Sequence, residues 1–121
     1  MPASLATLIA SSPYVADLAE RHGAWFAAAR ADADAALKAE IERLEAIGRE
    51  GGAEEVSQAL RLGKERIALL AATAEVTGAW TTQQATLALS DLADAALDAG
   101  LSMLLRQAAE RGQGRAEAAT P

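Results

Sequence analysis

Lys64-Glu65-Arg66-Ile67-Ala68-Leu69-Leu70-Ala71-Ala72-Thr73-Ala74-Glu75-Val76-Thr77-Gly78-Ala79-Trp80 runs directly into Thr81-Thr82-Gln83-Gln84-Ala85-Thr86-Leu87-Ala88-Leu89-Ser90-Asp91-Leu92-Ala93-Asp94-Ala95-Ala96-Leu97-Asp98-Ala99-Gly100-Leu101, and the reading of these two runs decides the fold. Both are dominated by alanine, leucine and other strong helix formers, with no proline in either. Gly78 suits a helix end, because glycine takes the left-handed backbone there without a Cβ clash. Thr81 and Gln84 have the spacing of a capping box that starts the next helix. That last helix is expected from Thr82 to Arg111, with Ala85, Leu89, Leu92, Ala93, Ala96, Gly100, Leu101, Leu104 and Ala108 on one inward stripe.

Working back, the helix that ends at Gly78 is expected to begin near Ala53, with Glu54 and Glu55 opposing the positive end of its dipole. Val56, Leu60, Ile67, Leu70 or Ala71, and Ala74 should face inward, and Gly63 inside the pattern marks close packing on a neighbour. Three glycines in Gly48-Arg49-Glu50-Gly51-Gly52 form the clearest break, a tight connection between antiparallel helices. Before it, Leu37, Ile41, Leu44 and Ile47 recur at helical spacing in a run that is rich in Ala, Glu and Arg from Ala24 onward. Two short helices come first: Ala3 to Ala10, and Pro13 to about Arg21 with Ser12 as N-cap and a stop at His22-Gly23. No strand pattern occurs. The fold class is all-α, an antiparallel bundle of about three long helices preceded by one or two short ones. Residues 1–111 form the helical domain, and 112–121, without apolar periodicity, read as a flexible tail or linker to a further domain.

Composition narrows the function classes. At 121 residues with 51% hydrophobic and only 3% aromatic content, the chain has enough for one core, built from close helix contact rather than from rings. A net charge of −6 with dispersed basic residues argues against nucleic acid and anionic membrane surfaces. There is no cysteine, hence no disulfide or thiolate chemistry. The uncharged start lacks a basic n-region and is interrupted at Ser11-Ser12-Pro13, unlike a signal peptide. A cytoplasmic protein is expected.

Residues capable of chemistry are few. His22, the single histidine, reads as a surface or helix-capping residue. Asp91, Asp94 and Asp98 lie along one helical face, as an array for a hard cation or simply a solvated edge. Gly63-Lys64 fails as a phosphate loop, since Glu65 follows it and Gln58 stands at the upstream glycine position. Arg61, Lys64 and Arg66 form a small basic group, offered either to an anionic partner or to salt bridges with Glu54, Glu55 or Glu75. Trp25 and Trp80 should anchor helix ends. No catalytic, cofactor-binding or metal-binding residue is assigned.

Three stretches together carry a resemblance: Ser12-Pro13-Tyr14-Val15-Ala16-Asp17-Leu18; Arg66-Ile67-Ala68-Leu69-Leu70 through Gly78-Ala79-Trp80; and Ala85-Thr86 through Leu89-Ser90-Asp91-Leu92-Ala93-Asp94-Ala95-Ala96-Leu97. In order and separation they resemble the helical region ahead of the first catalytic domain in the glutamine synthetase adenylyltransferase/deadenylylase family. Glu75 stands where that family usually has aspartate. The resemblance implies an enzyme that adds AMP to glutamine synthetase and removes it, using ATP and Mg²⁺, under control of PII proteins and glutamine. The family's Gly-Ser loop and strand-borne Asp-x-Asp have no counterpart here, because Asp32-Ala33-Asp34 lies in a helical alanine-rich run. The chain alone is therefore expected to be inactive, a non-catalytic front segment acting as scaffold or docking surface, with the downstream nucleotidyltransferase domain, glutamine synthetase or a PII protein as implied partners. The alternative is a stand-alone helical interaction or dimerisation module, paired through an Ala/Leu seam at Gly63 and Gly100.

Overall fold

The computed structural model describes residues 5–119. Six helices follow in order: α1 (Leu5–Ser11), α2 (Pro13–Arg21), α3 (Gly23–Ala29), α4 (Ala33–Glu50), α5 (Ala53–Thr77) and α6 (Thr82–Ala119). No strand occurs among the described residues. The long helices α4, α5 and α6 pack on one another, and α1, α2 and α3 lie against α5, with α3 also reaching α4.

Local chemistry sets most boundaries. The Ser12 hydroxyl accepts from the Val15 amide at 3.3 Å and Pro13 occupies the first turn, so α2 starts as expected. Gly78 takes φ 83° and closes α5 in the left-handed conformation. The reciprocal box at the start of α6 is complete: the Thr81 hydroxyl accepts from the Gln84 amide at 3.1 Å, and the Gln84 side chain accepts from the Thr81 amide at 2.8 Å.

Three boundaries differ from the sequence expectation. The run after Ala24 is two helices, since Asp32 in extended backbone accepts from the Ala35 amide at 3.0 Å and caps a separate α4. Gly48 belongs to α4 and not to the turn, which is only Gly51-Gly52. α6 runs past Arg111 to Ala119, so residues 112–119 of the stretch read as a tail are helical.

Cross-contacts fix the topology. The Trp80 indole donates to Asp34 at 2.8 Å, joining the start of α6 to the start of α4. Arg106 donates to the carbonyls of Gly48 and Gly51 at 2.8 and 2.6 Å, joining the far part of α6 to the end of α4. α4 and α6 therefore run in the same direction with α5 antiparallel to both, an up-down-up bundle. Gly48 sits where a Cβ would lie 2.6 Å from the Ala99 Cα, so only glycine permits this approach. Gly63 faces Leu44, whose Cδ1 would be 3.1 Å from an added Cβ, as close packing predicts.

Two hydrophobic clusters result. The larger joins α4, α5 and α6 through Leu44, Ile67, Leu70, Trp80 and Leu92 with many alanines. The smaller joins Val15, Leu18 and Phe26 of the short helices to Leu69 of α5. On α6 the buried positions are Ala85, Ala88, Leu92, Ala95 and Ala99, spaced three and four apart. The expected stripe was rotated: Ala85 and Leu92 face inward, whereas Leu89, Leu101 and Leu104 are exposed. Alanine wins the inward face because it lets the α6 backbone lie close to α4.

Candidate functional site

Burial dictates where the charged residues go. Glu40 follows Leu37 by three positions and precedes Leu44 by four, on the inward stripe of α4, and its side chain is only 3% exposed. A carboxylate there requires cations. Arg43 pairs with one oxygen and Arg66 donates to the other at 3.1 Å. The Arg66 guanidinium also lies 5.1 Å from the centre of the Trp25 ring. Arg66, one of the three basic residues singled out from the sequence, is thus committed to an internal network, with Glu40 as its partner rather than Glu54, Glu55 or Glu75. Glu75 instead accepts from the Thr82 hydroxyl at 2.8 Å across the α5–α6 turn.

Arg61 and Lys64 go elsewhere. Both are exposed and border a shallow apolar groove between α5 and α6, floored by Leu60, Leu89, Ala93 and Ala96. The basic trio is therefore not one site. It divides into a structural arginine and a two-cation rim.

A second polar cluster ties the N-terminal helices to α5. Glu65 accepts from Arg21 at 3.0 Å and lies 2.8 Å from the His22 ring nitrogen Nε2, while Arg21 also donates to Asp17 at 2.9 Å. The Arg21 guanidinium, and after it the His22 ring, holds the Glu65 carboxyl below the usual carboxylate range. His22 does occupy the C-cap of α2, but its side chain is 8% exposed, so it is buried and not a surface residue.

The aspartates resolve into ordinary roles. Asp91, Asp94 and Asp98 are all exposed along α6. Among the described residues no group of three or more His, Cys, Asp or Glu side chains is placed to hold a metal ion. Asp32 caps α4 and Asp34 receives the Trp80 indole, which accounts for the Asp-x-Asp letters without a strand. Trp80 is buried and anchors the α5–α6 corner as expected. Among the described residues no helix is long and apolar enough to cross a membrane.

Glu40, Glu65 and Arg106 take structural roles that the sequence analysis does not assign. Glu40 had a legible signal, an acidic residue in phase with an apolar stripe. Glu65 had none, since its partners lie more than forty positions away. Arg106 follows the buried positions of α6 by seven from Ala99, in phase with the inward face.

Comparison with known proteins gives this scaffold a family. The family model described as glutamate-ammonia ligase adenylyltransferase matches residues 3–120. A bifunctional glutamine synthetase adenylyltransferase/adenylyl-removing enzyme of Caulobacter vibrioides is 37% identical over 110 residues, covering 90% of this chain and 11% of that protein. The enzyme of the same description from Bradyrhizobium sp. is 36% identical over 118 residues, covering 88% of this chain and 11% of its own length. One from Xanthobacter autotrophicus is 46% identical over 63 residues, 52% of this chain and 6% of its length. No solved structure matches. The chain spans about a tenth of the length of these relatives and, on the strength of the match across nearly all of its residues, belongs to the glutamate-ammonia ligase adenylyltransferase family.

Proposed function

We propose that this chain is a non-catalytic helical segment of a glutamine synthetase adenylyltransferase/adenylyl-removing enzyme, acting as a scaffold or docking surface for the part of the polypeptide that transfers AMP. The observation that carries this reading is the family match over residues 3–120 combined with coverage of only about 11% of the first relatives' length. The disposition of the polar side chains supports it. Glu40, Arg66, Glu65 and Asp34 are engaged in holding helices together, which is the work of a scaffold.

ATP and Mg²⁺ belong, in this reading, to polypeptide outside the segment. The exposed aspartates of α6 come from one helix and do not make the multi-element oxygen set that a hard cation takes. The nucleotidyltransferase domain of the same polypeptide is the immediate partner, glutamine synthetase and a PII protein are the further ones, and the compartment is the cytoplasm.

The test is replacement. The matched region of the Caulobacter enzyme is exchanged for this chain, and AMP incorporation into and release from glutamine synthetase are measured with ATP and Mg²⁺. The chimera is expected to retain both activities, a Caulobacter enzyme lacking the region to lose them, and the 121-residue chain alone to show neither. Turnover by the isolated chain that survives further purification, or a chimera as inactive as the deletion while still folded, would overturn the reading.

A further inference from the structure

The described surface carries one apolar face that no helix of the bundle covers. Leu97, Leu101 and Leu104 recur at intervals of four and three on α6, so they share one side of the helix, and about half or more of each side chain is exposed. Leu89 and Ala93 lie one to two turns earlier, next to the groove that Arg61 and Lys64 border. Gly100, between the leucines, has nothing within 4 Å of where a Cβ would be, so a neighbouring helix has room to approach closely there. The internal helix pairs are already satisfied by the alanine face on the opposite side of α6.

One edge of this face is basic and the other is mixed. Toward α5 its earlier part, at Leu89 and Ala93, is bounded by Arg61 and Lys64, and neither has an ion-pair partner among the described residues. Toward α4 it meets a mixed edge, Asp98 with Glu45 and Arg49. An antiparallel two-fold pairing of α6 with a second copy would set Arg61 and Lys64 of one copy beside those of the other. Each copy also carries a net charge of −6. Repulsion between two such anions weighs against a second copy. By contrast, about nine tenths of each of the first relatives lies outside the region matched by this chain, and a face of this kind on a segment of a longer polypeptide is an intramolecular contact waiting for its partner.

We propose that the outer leucine face of α6, with Arg61 and Lys64 at its rim, is where this segment packs against the remainder of its own polypeptide, receiving a helix that is apolar along one side and acidic opposite those two cations. This rests on the functional reading above and names the surface through which the scaffold acts.

The experiment uses the Caulobacter chimera and hydrogen exchange of α6. In the chimera the amides around Leu97–Leu104 should exchange at least roughly tenfold more slowly than in the isolated chain. Leu97→Glu, Leu101→Glu and Leu104→Glu combined should abolish that protection, Arg61→Glu with Lys64→Glu should reduce it, and Leu87→Glu, exposed on the same helix but off the stripe, should leave it intact. Equal exchange in the chimera and the isolated chain, while the chimera still transfers AMP, would overturn the surface and spare the functional reading. An inactive folded chimera with protected α6 would do the reverse. If the chimera is insoluble, the isolated chain is added to the Caulobacter enzyme lacking the region and the same α6 protection is read in trans; its absence counts against the surface. Protection that appears in the isolated chain with rising concentration, together with a dimer by light scattering, would assign the face to a second copy and overturn the proposal.

Discussion

The two hydrophobic clusters of this protein are built on opposite plans. In the three-helix unit, small residues set the geometry: Gly48 meets Ala99, Gly63 meets Leu44, and Ala85, Ala88 and Ala95 line the inward face of α6. In the N-terminal cap, α1 to α3 hold onto α5 through larger side chains, Val15, Leu18 and Phe26 on Leu69, and through the clip of Arg21 and His22 on Glu65. The first plan relies on backbone proximity and fails when volume is added. The second relies on filled volume and a partly buried charge clip, so it fails when volume is removed or protons are added.

The largest effect is expected where volume leaves the cap. Leu18 is fully buried, and Leu18→Ala should cost about 3 kcal/mol. Native-state hydrogen exchange should then rise in α2 and α3 well before it rises in α4 and α6. If all six helices respond equally, cap and bundle are one cooperative unit and the contrast collapses. Next comes added volume in the bundle. Ala99→Leu pushes a side chain into the approach to Gly48 and should cost about 2–3 kcal/mol, seen as a lower urea midpoint. Leucine is larger and more apolar, so a scheme that counts hydrophobicity alone gives the opposite sign. Glu40→Ala should cost about 2 kcal/mol, because it leaves Arg66 and Arg43, both only partly exposed, without their shared carboxylate.

These particulars show what was legible in the chain. Helix starts and stops at Ser12, Gly78 and Thr81 were readable because capping is local chemistry within three or four residues. The phase of α6 is not legible, because leucines and alanines each make an apolar stripe on this helix and spacing cannot say which of the two faces the neighbour. Gly48 was placed in a turn because its neighbours Gly51 and Gly52 form one, while its own role depends on Ala99, about fifty positions on. Asp32 was legible as a cap, yet it was submerged in an alanine-rich run that reads as one helix. At the candidate site, Arg61, Lys64 and Arg66 were recognised as a basic group, but which of them turns inward depends on Glu40 across the α4–α5 pair.

A smaller and conditional effect separates the plans by pH. Because the Glu65 carboxyl is held below its ordinary value near 4.5 in the folded chain, chiefly by Arg21, its contribution is complete above that value and disappears as pH falls through the lower folded one. Acidification from pH 5 should therefore loosen α1 to α3 progressively. Arg21→Ala removes the main cause of the lowering, so wild type and variant should differ in cap protection at neutral pH and converge in acid. A difference that persists at low pH would mean the clip acts through packing rather than charge.

The smallest effect is the sharpest discriminator of all. Leu101 belongs to neither plan: it is large, apolar and about half exposed, with the bundle already closed behind it. Leu101→Ala in the isolated chain should change stability by no more than about 0.5 kcal/mol, despite removing the same side-chain atoms as Leu18→Ala. A loss as large as that of Leu18→Ala would require Leu101 to be buried in solution, for instance against a second copy. A near-zero change in the isolated chain beside a clear loss in the longer polypeptide would mean that the contribution of this residue is realised only there, where a third plan, docking between domains, completes the helix.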